Sequence, residues 1–282
     1  MKLRSITTRA ALAGATTALV AGGLVVATNT AADAADASGD YTCAVPILGD
    51  QTFPMTVSVP LLPPSAPAGF PVDAGLLSYS STITVPSGAA GALGSFGVVG
   101  GTIDDYTMKV GSLDVAAPGT YTATPPAEDG SVVMDGTGAN EAFNLPAAGT
   151  YDVKLPASFT FTPMTADGPL EIGGQPVAIG CTTAAPATLG SVQLTKQIST
   201  MTAKAAKAGK AYKVTATVKN EYTKPTGKVT TKLGKKTYSA PIKNGKAVIK
   251  LPKTAKGKKL TLKYGGDAYS APTTAKVTVP KK

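Results

Sequence analysis

From Ser199 to the end of the chain, apolar and basic or hydroxyl side chains alternate with a period of two. In residues 212–219, Tyr212, Val214, Ala216 and Val218 fall on one side, and Lys213, Thr215, Thr217 and Lys219 on the other. The same beat sets Val229, Thr231 and Leu233 against Lys228 and Lys232, and Ala247, Ile249 and Leu251 against Lys246 and Lys250. It continues with Leu260, Leu262 and Tyr264 against Lys259 and Lys263, and Ala275, Val277 and Val279 against Lys276. Side chains of an extended strand point alternately to opposite faces, whereas a helix would spread these lysines around its circumference. The pattern predicts half-buried strands with their ammonium groups in water. Adding residues 199–203 and 236–240 gives about seven short strands between Gly, Pro and Asn turns, the count of a two-sheet sandwich.

Three motifs in this stretch carry a family resemblance: Pro225-Thr226-Gly227-Lys228-Val229, Asn244-Gly245-Lys246-Ala247, and the run Tyr264 to Tyr269 with Gly266 and Asp267 inside it. Over roughly residues 196–280 the chain resembles the bacterial Ig-like repeat domains of exported surface proteins. It departs from them at Thr230-Thr231, where such domains often carry Phe, and at Ala271-Pro272, where Ser often follows the last Tyr. The resemblance implies an Ig-like sandwich used as a spacer, stalk or adhesive unit.

Charge divides the chain. Residues 38–190 hold thirteen carboxylates against Lys109 and Lys154, a net of −11. Residues 191–282 hold 22 lysines against Glu221 and Asp267, a net of +20. So sharp a change marks a domain boundary, placed near residues 184–196. Ahead of both halves, Lys2, Arg4 and Arg9 precede an apolar stretch from Ala10 to Ala27 and two Ala-x-Ala sites, the layout of a signal peptide cleaved after Ala34 or Ala37. No later segment has the length of a membrane span, so no transmembrane segment is expected in the mature chain. Two cysteines, Cys43 and Cys181, in an exported chain read as one disulfide tying the first strand of a domain to its last.

With the leader removed, the chain has no His, Arg or Trp. That excludes Ser–His and Cys–His nucleophiles, imidazole metal sites and guanidinium forks for phosphate. The lysine coat has two readings: a solvated surface that keeps strand edges from pairing, or a polycation that holds anionic envelope polymers. In the second reading Lys213, Lys219, Lys228, Lys232, Lys250, Lys259 and Lys263 make the contacts. Nucleic acid is not expected, because base-reading arginines and outward stacking rings are missing. The run Leu251-Pro252-Lys253-Thr254-Ala255 has the look of a sortase signal, but with no apolar segment after it, it reads as a turn between strands.

The acidic half also reads as β. Strands are predicted at 53–59, 77–85, 98–103, 106–110, 131–134, 149–155, 158–162 and 177–181, with no amphipathic helix outside the leader. Gly119-Thr-Tyr121 and Gly149-Thr-Tyr151 recur thirty residues apart, as similar hairpin entries or a weak internal duplication. From Tyr41-Thr42-Cys43 to Ile179-Gly180-Cys181 this half resembles an uncharacterised domain of secreted actinobacterial proteins, which implies export and a β-fold. Its best carboxylate pairs, Asp104-Asp105 and Glu128-Asp129, are adjacent in sequence and cannot flank one bond from a single strand face; both read as exposed turn residues.

The expectation is an all-β protein. Residues 1–37 are the signal peptide. Residues 38–190 form an acidic β-sandwich closed by a disulfide, and 191–282 a smaller basic Ig-like sandwich. It is expected to be secreted or envelope-associated and non-catalytic, without cofactor or metal, with anionic envelope polymers or other surface proteins as partners. The alternative is a carbohydrate-binding or carbohydrate-acting domain in residues 41–183.

Overall fold

The computed structural model describes residues 34–281. The expected leader lies outside them up to residue 33. Strand structure starts at Ala35, within the stretch that cleavage after Ala37 would remove. Among the described residues no helix is long and apolar enough to cross a membrane.

The acidic half is all-β, and its largest sheet closes on itself. Strand Ser158–Thr165 is followed around the sheet by Ile179–Thr182, Ala35–Val45, Gly49–Val59 and Ser78–Val85. Val132–Ala139, Gly119–Ala123 and Val98–Ile103 come next, and the last pairs back onto Ser158–Thr165, Thr162 opposite Thr102. All these pairings are antiparallel. Closure leaves this ring without free edges. Every second residue turns inward: Tyr41 and Cys43, Phe53, Met55 and Val57, Tyr79, Ser81 and Ile83, and Phe159 and Phe161 are all buried. Rings from separate strands meet in the middle. Tyr106, just ahead of strand Thr107–Val110, lies 5.3 Å from Tyr79 and 6.1 Å from Phe159, centroid to centroid.

The glycines in these strands make room for the rings. A Cβ on Gly136 would stand 2.3 Å from the Tyr121 ring, and one on Gly101 2.2 Å from Phe161. Cys43 and Cys181 face each other on neighbouring strands and form the expected disulfide, across 138 residues of sequence. Closing so long a loop contributes about 5 kcal/mol in the chain-entropy account.

A second sheet of five strands, in the order Ser65–Pro67, Thr188–Thr195, Gly149–Lys154, Thr107–Val110 and Leu113–Ala116, shares the same hydrophobic core through Val110, Val115, Val153 and Val192. The two Gly-Thr-Tyr runs open strands in different sheets, Gly119 in the ring and Gly149 here. One element departs from the strand-only expectation: Ser87–Ser95 is an α-helix. Its three glycines weaken helix propensity, but burial of Ala89, Ala90 and Leu93 against the core holds it.

The basic half has its own core and seven strands in two sheets. Thr200–Ala208, Ala211–Lys219 and Lys246–Leu251 form one; Lys236–Pro241, Lys228–Leu233, Lys259–Tyr264 and Thr273–Thr278 form the other. Val214, Ala216, Val218 and Ile249 from the first meet Val229, Leu260 and Leu262 from the second, all buried. Thr231 is buried too, and its hydroxyl donates to the Thr261 carbonyl at 2.9 Å. Strand Thr188–Thr195 still belongs to the acidic half, so the chain crosses from one core to the other within residues 196–199.

Candidate polyanion-binding surface

Alternation places the lysines. With Val214, Ala216, Ile249 and Leu251 drawn inward, Lys213, Lys219 and Lys250 project from the outer face of the three-stranded sheet, and all are exposed. Lys228, Lys232, Lys259 and Lys263 project likewise from the four-stranded sheet. The seven therefore lie on two opposite faces and do not converge on one site. On the four-stranded sheet the lysines stand opposite Thr or Pro: Lys232 faces Thr237, Lys259 faces Thr278, and Lys263 faces Thr274. On the three-stranded sheet Lys213 stands directly opposite Lys250. Like charges at that register repel. The ion pair among the described residues is Lys109–Asp114, in the acidic half; none of the basic module's described lysines takes part in one.

A tighter grouping was not read from the sequence. Lys207 and Lys210, around the turn at Gly209, meet Lys253 and Lys256, around the short 3-10 turn Lys253–Ala255, about a depression of 330 Å³ beside Tyr212. Strand alternation says nothing of turn residues. The available signal was the spacing, Lys-x-x-Lys in both turns. Four ammonium groups around one hollow create a positive potential that attracts an anion and releases counterions when one binds.

The residues of the Tyr264–Tyr269 motif are structural. Tyr264 is buried in the core, and Gly266 takes a positive φ of 82°. Asp267 accepts from the Thr226 amide and hydroxyl at 2.7 and 2.9 Å and from the Tyr269 amide at 2.9 Å. Burial raises its pKa, but these bonds and one from Ser270 outweigh it and hold the carboxyl well below the usual range. This turn also touches the acidic half, where the Ala148 amide donates to the Ala268 carbonyl at 3.1 Å.

On the acidic half, outward residues of the ring form rows of hydroxyls. Thr56, Thr82, Asp135 and Thr122 stand opposite one another on successive strands, as do Ser58, Ser80, Thr137 and Thr120. They line a depression of about 570 Å³ with one carboxylate, Asp135. Asp104-Asp105 and Glu128-Asp129 lie outside the strands, and all four are exposed. Asp105 accepts from the Thr160 amide at 2.8 Å, and Asp129 from the Ser131 amide and hydroxyl. Among the described residues no three potential metal ligands gather.

The model of a family of unknown function, DUF6801, matches residues 40–190, more than half of the chain. The chain belongs to the DUF6801 family. The DUF6801 region covers the closed ring from Asp40 onward and all but the last residues of the five-stranded sheet, and the lysine-coated module follows it. No curated protein matches the chain. Among solved structures it is similar to a Ca2+-stabilised adhesin that helps an Antarctic bacterium reach out and bind ice. That likeness has 11% identity and a TM-score of 0.27, and covers 90% of this chain and 91% of the adhesin. It is also similar to a β-glucuronidase of Ruminococcus gnavus, with 10% identity and a TM-score of 0.25 over 88% of this chain and 43% of the enzyme. Likeness of this size informs neither the fold nor the function of the DUF6801 protein.

Proposed function

We propose that this DUF6801 protein is exported and non-catalytic, and that its basic module, an Ig-like unit, attaches it to anionic polymers of the cell envelope. The observation that carries the reading is the uncompensated charge. Of the module's 22 lysines, none within the described residues has a carboxylate partner, and Lys213 and Lys250 are set face to face. A coat that only solubilised the module would have no need for opposed lysines, whereas a polyanion lying across both relieves their repulsion. The disulfide fits the oxidising compartment that export implies.

The test is retention of the full chain on purified, anionic envelope polymer as sodium chloride rises. Binding is expected to fall steeply with salt and to vanish at molar concentration, where the Debye length is about 3 Å. Lys213→Gln with Lys250→Gln should weaken it, and Lys207→Gln with Lys253→Gln should weaken it further. Retention at molar salt overturns electrostatic holding. The second reading, carbohydrate binding by residues 41–183, draws on the hydroxyl rows around Asp135. Glycan capture that survives molar salt and is lost in Thr82→Val with Thr122→Val would favour it.

A further inference from the structure

Residues 61–77 leave the closed ring and pair outside it, Ser65–Pro67 with Thr188–Thr195 and Pro71–Val72 with Phe143–Asn144. Between them and the buried side chains of the five-stranded sheet lies a cavity of about 130 Å³. Val115, Val153 and Val192, all buried, contribute to its lining from that sheet. Phe70 and Phe143, half-buried, and Leu76, 56% exposed, line it from outside that sheet. The Phe70 wall is braced from the basic half by Tyr222, whose ring meets it edge-on at 5.0 Å.

The cavity offers water almost nothing. Its one amide side chain is Asn140, and that group is fully engaged. Its Oδ1 accepts from the Leu77 amide at 2.7 Å, and its Nδ2 donates to the Asp73 and Glu141 carbonyls at 2.8 and 2.7 Å. A buried water needs two to four polar partners, and apolar cavities of about 150 Å³ stay dry and take up benzene-sized molecules. Leu76 is both part of the lining and 56% exposed, so the cavity reaches the surface there and an occupant can extend past it into solvent. A dry hole with a greasy, open rim suits a molecule with a carbon chain at one end and a polar group at the other.

We propose that this cavity binds the alkyl end of an amphiphile, taking in about six carbons. The chain can come from a free fatty acid or from a membrane lipid. The site is separate from the lysine surface, and its binding does not depend on the polyanion reading: burial of apolar surface persists at molar salt, where charge attraction is screened.

The experiment is titration of the full chain, in molar sodium chloride, with sodium octanoate and with octyl glucoside below their micelle concentrations, followed by calorimetry and by methyl NMR. Separate co-sedimentation with phosphatidylcholine vesicles tells a lipid source from a free acid. Saturable one-to-one binding of either probe is expected, with shifts confined to methyl groups around the cavity. Val153→Phe fills the hole. Leu76→Asp places a charge at the exposed rim and leaves the fold intact, so it decides the matter if the first variant fails to fold. Each should weaken binding about tenfold or more, and Phe96→Ser, outside the cavity, should change it by less than about twofold. Absence of saturable binding overturns the proposal, as does a Phe96→Ser loss equal to that of Leu76→Asp.

Discussion

The side-chain amide of Gln197 donates to the Ala68 carbonyl across 2.6 Å, joining residues 129 apart in sequence. The same nitrogen reaches the Thr223 hydroxyl at 3.0 Å, and the side-chain oxygen accepts from the Tyr222 amide at 3.0 Å. Its backbone pairs with the Tyr269 carbonyl and the Ala271 amide. One buried glutamine thus satisfies groups from both halves and makes the crossing point a joint instead of a free linker.

Gln197→Ala leaves the Ala68 carbonyl and the Tyr222 amide without these partners. Stranding buried polar groups costs about 1–3 kcal/mol. Urea unfolding should show that loss, and the variant should separate into two transitions, one for each core, where the native chain gives one. A single unshifted transition would show that the joint contributes nothing.

Gly136→Ala sets a methyl group 2.3 Å from the Tyr121 ring, and that ring is held by the Ser81 hydroxyl at 2.9 Å. Overpacking of this kind costs about 1–3 kcal/mol. Gly180→Ala is the control: its strand position points outward with nothing within 4 Å, so stability should stay within about 0.5 kcal/mol. Thermal unfolding of the two variants side by side distinguishes recess from mere flexibility.

These glycines show where the sequence is silent. The lysine alternation was legible because each strand has one wet and one dry face, and that contrast is written every second residue. Closure of the ring was not, since pairing Thr102 with Thr162 depends on chain geometry across sixty residues. Nothing in the sequence marks Gly101 and Gly136 as recesses for Phe161 and Tyr121, because the rings they admit come from other strands. The helix Ser87–Ser95 was hidden because tertiary burial, not propensity or amphipathic period, holds it. The four-lysine hollow was missed because it is assembled from two turns, where alternation carries no information.

Leader cleavage after Ala34 keeps the first strand whole. Cleavage after Ala37 would delete the pairs Ala35–Val59, Asp36–Ser58 and Ala37–Val57 and remove the buried Ala37 methyl. The exported protein is expected to begin at Ala35. N-terminal sequencing or intact mass decides it, and a start at Ser38 would show that these three pairs are dispensable.

Four tyrosines inside the ring make the acidic half sensitive to alkali. Burial pushes the Tyr41 phenol up to about 12, helped by the charge of Tyr121, and pushes Tyr79 and Tyr106 well up for the same reasons. Burial raises Tyr121 as well, partly offset by its bonds with Ser81 and Tyr79. In the unfolded chain each phenol ionises near pH 10. Raised folded values mean that the native state binds more protons than the unfolded state above that pH. Their contribution is therefore complete below about pH 10 and is lost as pH climbs through 10 towards 12. Phenolate absorbance should show these four lagging behind the value of a free phenol and then ionising together as the ring unfolds. Tyr106→Phe, which removes a hydroxyl without a hydrogen-bond partner, should move that unfolding to higher pH. Early, independent ionisation of these four would contradict a sealed interior.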